Sequence, residues 1–255
     1  MDAAVRPAVS RGRRLAFIGL AALFGLAWAF GFGGFFALVG GWMASGEEAI
    51  HRVHDISWGI FAGLIMAVGF LAQVRLPERK VAALQQVAAG GVAMATGMLL
   101  SSAVDPFVLI LLAMVLVAAV LHPARSALLT AGAVSRPLAG LAVLAGIPLV
   151  VYALGEFALQ RGALPGDEHA ELMHWVGMGV MALAIPLVGL VASLKTSGWR
   201  IPAWSAGLGL AVYGLASVVF PQGASSAGRA WGSLALVGGV LFIALAEWES
   251  RRGEG

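Results

Sequence analysis

A chain of 255 residues that is 60% hydrophobic, only 11% charged and free of cysteine has too little polar surface to wrap a water-facing globule. Soluble domains carry about 45–50% apolar and about 25% charged residues. The composition therefore excludes a disordered chain, a disulfide scaffold and a soluble enzyme, and no stretch between hydrophobic runs is long enough to bury a core of its own.

Crossing roughly 30 Å of hydrocarbon takes about 20 mainly apolar residues in a helix. On that measure the sequence predicts eight transmembrane helices: Leu15–Val39, His54–Val74, Val81–Ser101, Phe107–Leu121, Leu138–Gln160, Met173–Leu194, Ile201–Phe220 and Trp231–Trp248. Phe107–Leu121 is the shortest. Runs such as FVLILLAMVLVAAVL lack the alternation of membrane strands. The fold class is an all-α integral membrane bundle. The basic segment 1–14 leads into a run too long for a signal-peptide core, so that run is read as the first span.

Lys and Arg collect on the cytoplasmic side of membrane proteins. With the N-terminus inside, the inner segments hold 13 of the 16 basic residues, and the outer ones hold only Arg52, Arg161 and Arg229. Both termini are expected in the cytoplasm of a bacterial-type inner membrane. The net charge of +3 follows from this asymmetry and implies no nucleic-acid partner. The expected surroundings are lipid, with room for a membrane-protein partner or a second copy.

Sliding the chain on itself exposes a repeat. The segment from His54 lies over the segment from His174 at an offset of 120, matching His54/His174, Gly59/Gly179, Ala62/Ala182, Ile65/Ile185, Val68/Val188, Gly69/Gly189 and Ala72/Ala192. The first and fifth spans match at an offset of 121, through Gly19-Leu20-Ala21 over Gly140-Leu141-Ala142 and Phe36-Ala37-Leu38 over Phe157-Ala158-Leu159. The expected organisation is two parallel four-helix repeats, 15–121 and 138–248, joined by a cytoplasmic linker, 122–137, and flanked by tails 1–14 and 249–255. Such repeats are related by an axis near the membrane normal, which makes the second and sixth helices mates.

Polar chemistry concentrates at the outer ends of those mates, in SGEEAIHRVHDISW and PGDEHAELMHWVGM. Ser45 with Glu48 reads as a capping box, so the second helix is expected to begin near Gly46. At 100° per residue, Glu47, His51, His54, Asp55 and Trp58 then share a face, mirrored by Asp167, Glu171, His174 and Met178. Imidazoles and carboxylates without thiolate suit Zn, Fe, Mn or Cu(II). Against this, acids in a first helical turn are favoured by the helix dipole alone, and His51 and His169 read as solvated loop residues. Glu156, near the outer end of the fifth helix, has no acidic mate; an acid inside a membrane is costly enough to suggest proton handling.

Two resemblances attach to these residues. Glu48-Ala49-Ile50-His51-Arg52 resembles the E-x-x-H-R pattern of haem A synthase, an eight-helix family of two halves. That family also has histidines opening its fourth and eighth helices, where this chain reads SSAVDP and AGRAWG, so the resemblance leaves only a haem shared by His54 and His174. His54-Asp55, with Ser197-Gly198-Trp199 before AWSAGLGLAVYGL, is similar to a family of uncharacterised prokaryotic membrane proteins, a domain of unknown function, and implies a polytopic fold without an activity. Three functional readings follow. One is a metal- or haem-binding redox protein using His54 and His174 between helices 2 and 6. The others are a proton-coupled small-solute transporter using those histidines and Glu156, and a non-catalytic subunit of a membrane complex.

Overall fold

The computed structural model describes residues 10–103 and 105–252. The first nine residues of the basic tail, Arg6 among them, and residues 253–255 of the C-terminal tail lie outside the described residues. All regular structure among the described residues is helical. Seven helices are long and apolar enough to cross a membrane: α1 (Arg11–Met43), α2 (Gly46–Val74), α3 (Val81–Ser101), α5 (Arg136–Gly162), α6 (His174–Ser193), α7 (Arg200–Val219) and α8 (Gly228–Arg252). The expected fourth span, α4 (Pro106–Leu121), is an apolar helix of 16 residues, about 24 Å at 1.5 Å per residue and shorter than the roughly 20 residues that usually span a bilayer.

The bundle has a centre and a periphery. The most apolar window of α6 is 72% buried and that of α8 only 22%; α2, α3 and α7 side with α6, and α1 and α5 with α8. In the centre, α6 packs on α2, α3 and α7, and α7 also packs on α2. Outside them, α1 lies on α2, α4 on α3, α5 on α6 and α8 on α7. With lipid outside, apolarity cannot drive this sorting, so close approach decides it. Gly207 and Gly214 of α7 face Gly239 and Gly232 of α8 in an antiparallel zipper of seven-residue spacing. A Cβ at Gly232 would lie 2.8 Å from the Gly214 carbonyl oxygen, and one at Gly207 would lie 2.9 Å from that of Gly239.

Two neighbouring irregularities, one in α1 and one in α2, replace ideal α-geometry. α1 passes through a π-turn at Ala27–Gly31 and breaks at Gly33, whose φ of +74° suits glycine. Backbone carbonyls freed in lipid need a new partner. The Trp58 indole supplies one by donating to the Phe32 carbonyl at 2.8 Å. α2 is π-helical over Ile60–Ala67, beside that break.

At the end remote from His51, His54, His169 and His174, charges tie the helices together. Arg14 pairs with Glu78 at 2.8 Å, Lys195 with Glu249 at 2.6 Å, and Arg200 with Glu247 at 2.6 Å. His122 is fully buried there. Its Nδ1 accepts from the Ala124 N–H at 3.1 Å, which leaves Nε2–H to donate to Gln73 Oε1 at 3.2 Å. Burial holds this imidazole below its ordinary pKa, against partial opposition from the nearby Glu78 carboxylate.

Candidate metal centre

The first wall of the site is the start of α2. Gly46–His51 is a 3-10 helix rather than the first α-turn, and Ser45 makes no side-chain cap. The expected capping box is therefore corrected, and the 100° wheel does not apply before Arg52. At three residues per turn Glu47 stands about 120° from His51; Glu47 and Glu48 are exposed and His51 is buried. Arg52 holds the turn by donating from Nε to the Ala44 carbonyl at 2.9 Å, with its guanidinium over the Phe220 ring. His51 is 7% exposed, so it is not the solvated loop residue expected, and His54 is 3% exposed.

The second wall is the approach to α6. Asp167 caps the short helix Glu168–Glu171, its carboxylate accepting from the His169 and Ala170 N–H groups at 3.0 and 3.2 Å. Met173 then takes a left-handed φ of 58° before α6 begins at His174. On an unbroken helix His169 and His174 would diverge by about 140°. The break folds the short helix back, and the two ring centroids come within 5.7 Å.

Four imidazoles converge between these walls. His54 and His174 lie 13° from parallel with centroids 4.8 Å apart, His51 is 4.8 Å from His174, and His169 is 4.8 Å from His54. Trp175 closes one side, stacked on His169 at 4.9 Å and edge-on to His54 at 5.4 Å. One nitrogen from each ring lies within 4.8 Å of the other three. Nδ1 of His51, His54 and His174 and Nε2 of His169 are buried without a hydrogen-bond partner. Orphaned buried nitrogens cost about 1–3 kcal/mol each unless something meets them.

Behind His54 stands a second layer. Ser225, in the turn before α8 with φ of 60°, donates its hydroxyl to Glu156 Oε2 at 2.9 Å. Its oxygen is then the acceptor for His54 Nε2–H at 3.1 Å, which leaves the Nδ1 lone pair of His54 for a ligand. Tyr152 and Tyr213 pin the same residue by donating to the Ser225 carbonyl at 2.7 and 3.2 Å. On the other side, His51 Nε2 lies 3.4 Å from Glu168 Oε1.

Of the residues singled out in the sequence, His51, His54 and His174 come together, and Glu156 reaches them through Ser225. Glu47 and Glu171 are exposed, Asp55 is half-buried and Asp167 is the cap; none belongs to the converging group. His169 replaces them, missed because only the left-handed Met173 brings it inward. Its one sequence signal was that four of the 5 histidines stand in two short segments. The donor set is all imidazole, which suits Zn, Cu(II), Ni or Fe better than Mg, Ca or Mn. Zn–N bonds of about 2.0–2.1 Å put tetrahedral donors about 3.3–3.4 Å apart, so donor nitrogens now up to 4.8 Å apart would close by at most about 1.4 Å around an ion. A shared haem does not fit: axial imidazoles point edge-on at iron from opposite faces of the macrocycle, and rings stacked at 4.8 Å leave no room for one.

Comparison of the chain with protein families, with curated proteins and with solved structures finds no match.

Proposed function

We propose that the chain is a multi-pass membrane metalloprotein that holds one first-row transition-metal ion between α2 and α6, with His51, His54, His169 and His174 as ligands. The observation that carries this reading is the convergence of four imidazoles, each retaining a buried nitrogen without a partner. Orientation of His54 through Ser225 and Glu156 adds support, since metal-bound histidines usually give their second nitrogen to a carboxylate or another polar group. Proton-coupled transport is the weaker alternative, because Glu156 serves here as an acceptor within this orienting chain.

In this reading the basic end lies in the cytoplasm, as do both termini, and the metal faces the opposite side of an inner membrane. Two parallel four-helix repeats are favoured by the neighbour pattern: α1 lies on α2 as α5 on α6, α4 on α3 as α8 on α7, and α3 meets α6 as α7 meets α2.

The test is elemental analysis of detergent-purified protein, followed by Co(II) titration. Near-stoichiometric metal, a tetrahedral Co(II) absorption band and loss of both in His54→Ala/His174→Ala are expected. Metal below about one-tenth of stoichiometry after loading with Zn(II), Cu(II) or Co(II) in turn, unchanged by the double variant, refutes the proposal.

A further inference from the structure

A cavity of about 840 Å³ opens among α5, α6, α7 and α8, within the roughly 300–1,000 Å³ usual for ligand pockets. Its walls are almost wholly apolar, with Ala145, Leu149, Pro186 and Trp231 among them. Its mouth lies between membrane-spanning helices α5 and α8, where Ile147, Val151, Trp231 and Leu234 are exposed. Among the described residues, the only hydroxyl-bearing side chains lining the wall are Tyr152 and Tyr213, which spend their protons on the Ser225 carbonyl and keep acceptor lone pairs. Among the described residues no Lys or Arg lines the cavity, and the Glu156 carboxylate stands behind Ser225.

The other half of the chain is filled at the corresponding positions. At the repeat offsets of 121 and 120, Ala145, Leu149 and Pro186 correspond to Phe24, Trp28 and Met66. Trp28 and Met66 are fully buried; Trp28 packs edge-on to Phe61, and Phe24 packs edge-on to Phe70. The second half carries smaller side chains there, and Pro148 and Pro186 each remove a helical hydrogen bond beside the opening. The first half excludes an occupant from the space that the second half keeps open.

We infer that this cavity is a lateral binding chamber for a neutral, hydrocarbon-tailed molecule from the bilayer, with its hydrogen-bonding head against Tyr152 and Tyr213. The tail matches the apolar walls, and lateral entry matches a mouth that faces lipid. An anionic head would be left unpaired beside Glu156, at a cost of several kcal/mol. The occupant therefore carries a neutral donor head, an alcohol, rather than a carboxylate or phosphate. Ser225 binds both tyrosines and His54, so the head sits one residue from the proposed metal ligand. Only this adjacency rests on the metal reading; the chamber does not.

The test is photolabelling of the full chain in phosphatidylcholine nanodiscs with a diazirine-tailed long-chain alcohol, beside the matching fatty acid and phosphatidylcholine probes. Saturable labelling of α5 to α8 by the alcohol is expected. It should fall about tenfold or more in Ala145→Phe, which installs the first-half residue, and in Leu234→Trp at the mouth. Tyr152→Phe/Tyr213→Phe, which preserves shape, should weaken it several-fold. Thermal unfolding identifies any variant that fails to fold, and the remaining variants then decide. Non-saturable labelling, labelling unchanged in the folded variants, or equal saturable labelling by either charged probe overturns the inference. His54→Ala/His174→Ala should remove metal and leave labelling intact, so the two readings fail separately.

Discussion

Ser225→Ala is the sharpest probe of the site because it removes one oxygen that two functional side chains share. That oxygen accepts from His54 Nε2–H at 3.1 Å and donates its own proton to Glu156 Oε2 at 2.9 Å. Without it the ring is free to rotate or to shift its proton to Nδ1, the nitrogen that must hold a lone pair for the metal. Outer-layer losses of this kind cost about 10–100-fold in metal affinity, or about 1.4–2.8 kcal/mol at 1.4 kcal/mol per tenfold. The measurement is the Zn(II) dissociation constant by competition with a chromophoric chelator in detergent. Ser225 also sits at φ of 60°, so the backbone needs its own control. Ser225→Gly relaxes that conformation while lacking the hydroxyl, and it should lose as much affinity as the alanine variant. Glu156→Gln, which keeps an acceptor oxygen, should lose less than either. A dissociation constant within about twofold of wild type in Ser225→Ala, or recovery in Ser225→Gly, refutes the orienting role.

The remaining expectations concern the cap, the zipper and the basic end. Asp167→Ala removes the two hydrogen bonds that begin the short helix carrying His169, costing about 1 kcal/mol of local order. Zn(II) affinity should fall several-fold, and unchanged affinity would separate His169 from the site. Gly239→Ala would set a Cβ 2.6 Å from the Ala211 nitrogen, forcing α7 and α8 apart and lowering the thermal midpoint by about 1–3 kcal/mol worth of stability. Gly155→Ala, with nothing within 4 Å, should be neutral or stabilising; equal losses in the two variants would contradict the zipper. His122 is neutral when buried, whereas in the unfolded chain it titrates near its ordinary value of 6.5. The unfolded state therefore binds more protons at mildly acid pH. The stability tied to neutral His122 is complete above about pH 6.5 and is lost as pH falls below it. His122→Gln should flatten that profile in pH-dependent unfolding, at a cost of about 1–3 kcal/mol.

The helices were legible because twenty apolar residues in succession admit few structures in lipid. Val81–Ser101 is the same in both readings, and the other long helices differ mainly by extra residues at their ends. The fourth element was legible as an apolar helix, but its 16 residues are fewer than the roughly 20 of a usual span. What periodicity could not supply was departure from periodicity. A wheel at 100° per residue predicts a face shared by Glu47, His51 and His54, but a 3-10 turn carries the first of these into solvent. The same wheel separates His169 from His174, whereas the left-handed Met173 joins them.

Both breaks have a physical reason to stand where they do. Helix ends are the places where backbone groups lack intrahelical partners, so a change of geometry there loses the fewest hydrogen bonds. Acids at these ends did what acids at helix ends commonly do: Asp167 caps a helix, and Glu47 and Glu171 remain exposed. The histidines behave otherwise. Each is drawn inward far enough to bury a ring nitrogen that no protein group meets, although a chain so poor in polar residues has every opportunity to place them in water. Four such rings, each offering a nitrogen within 4.8 Å of the other three and backed by an ordered Ser225–Glu156 pair, make collective sense as a set of donors awaiting one cation. Packing alone accounts for the rings but leaves all four nitrogens without a partner.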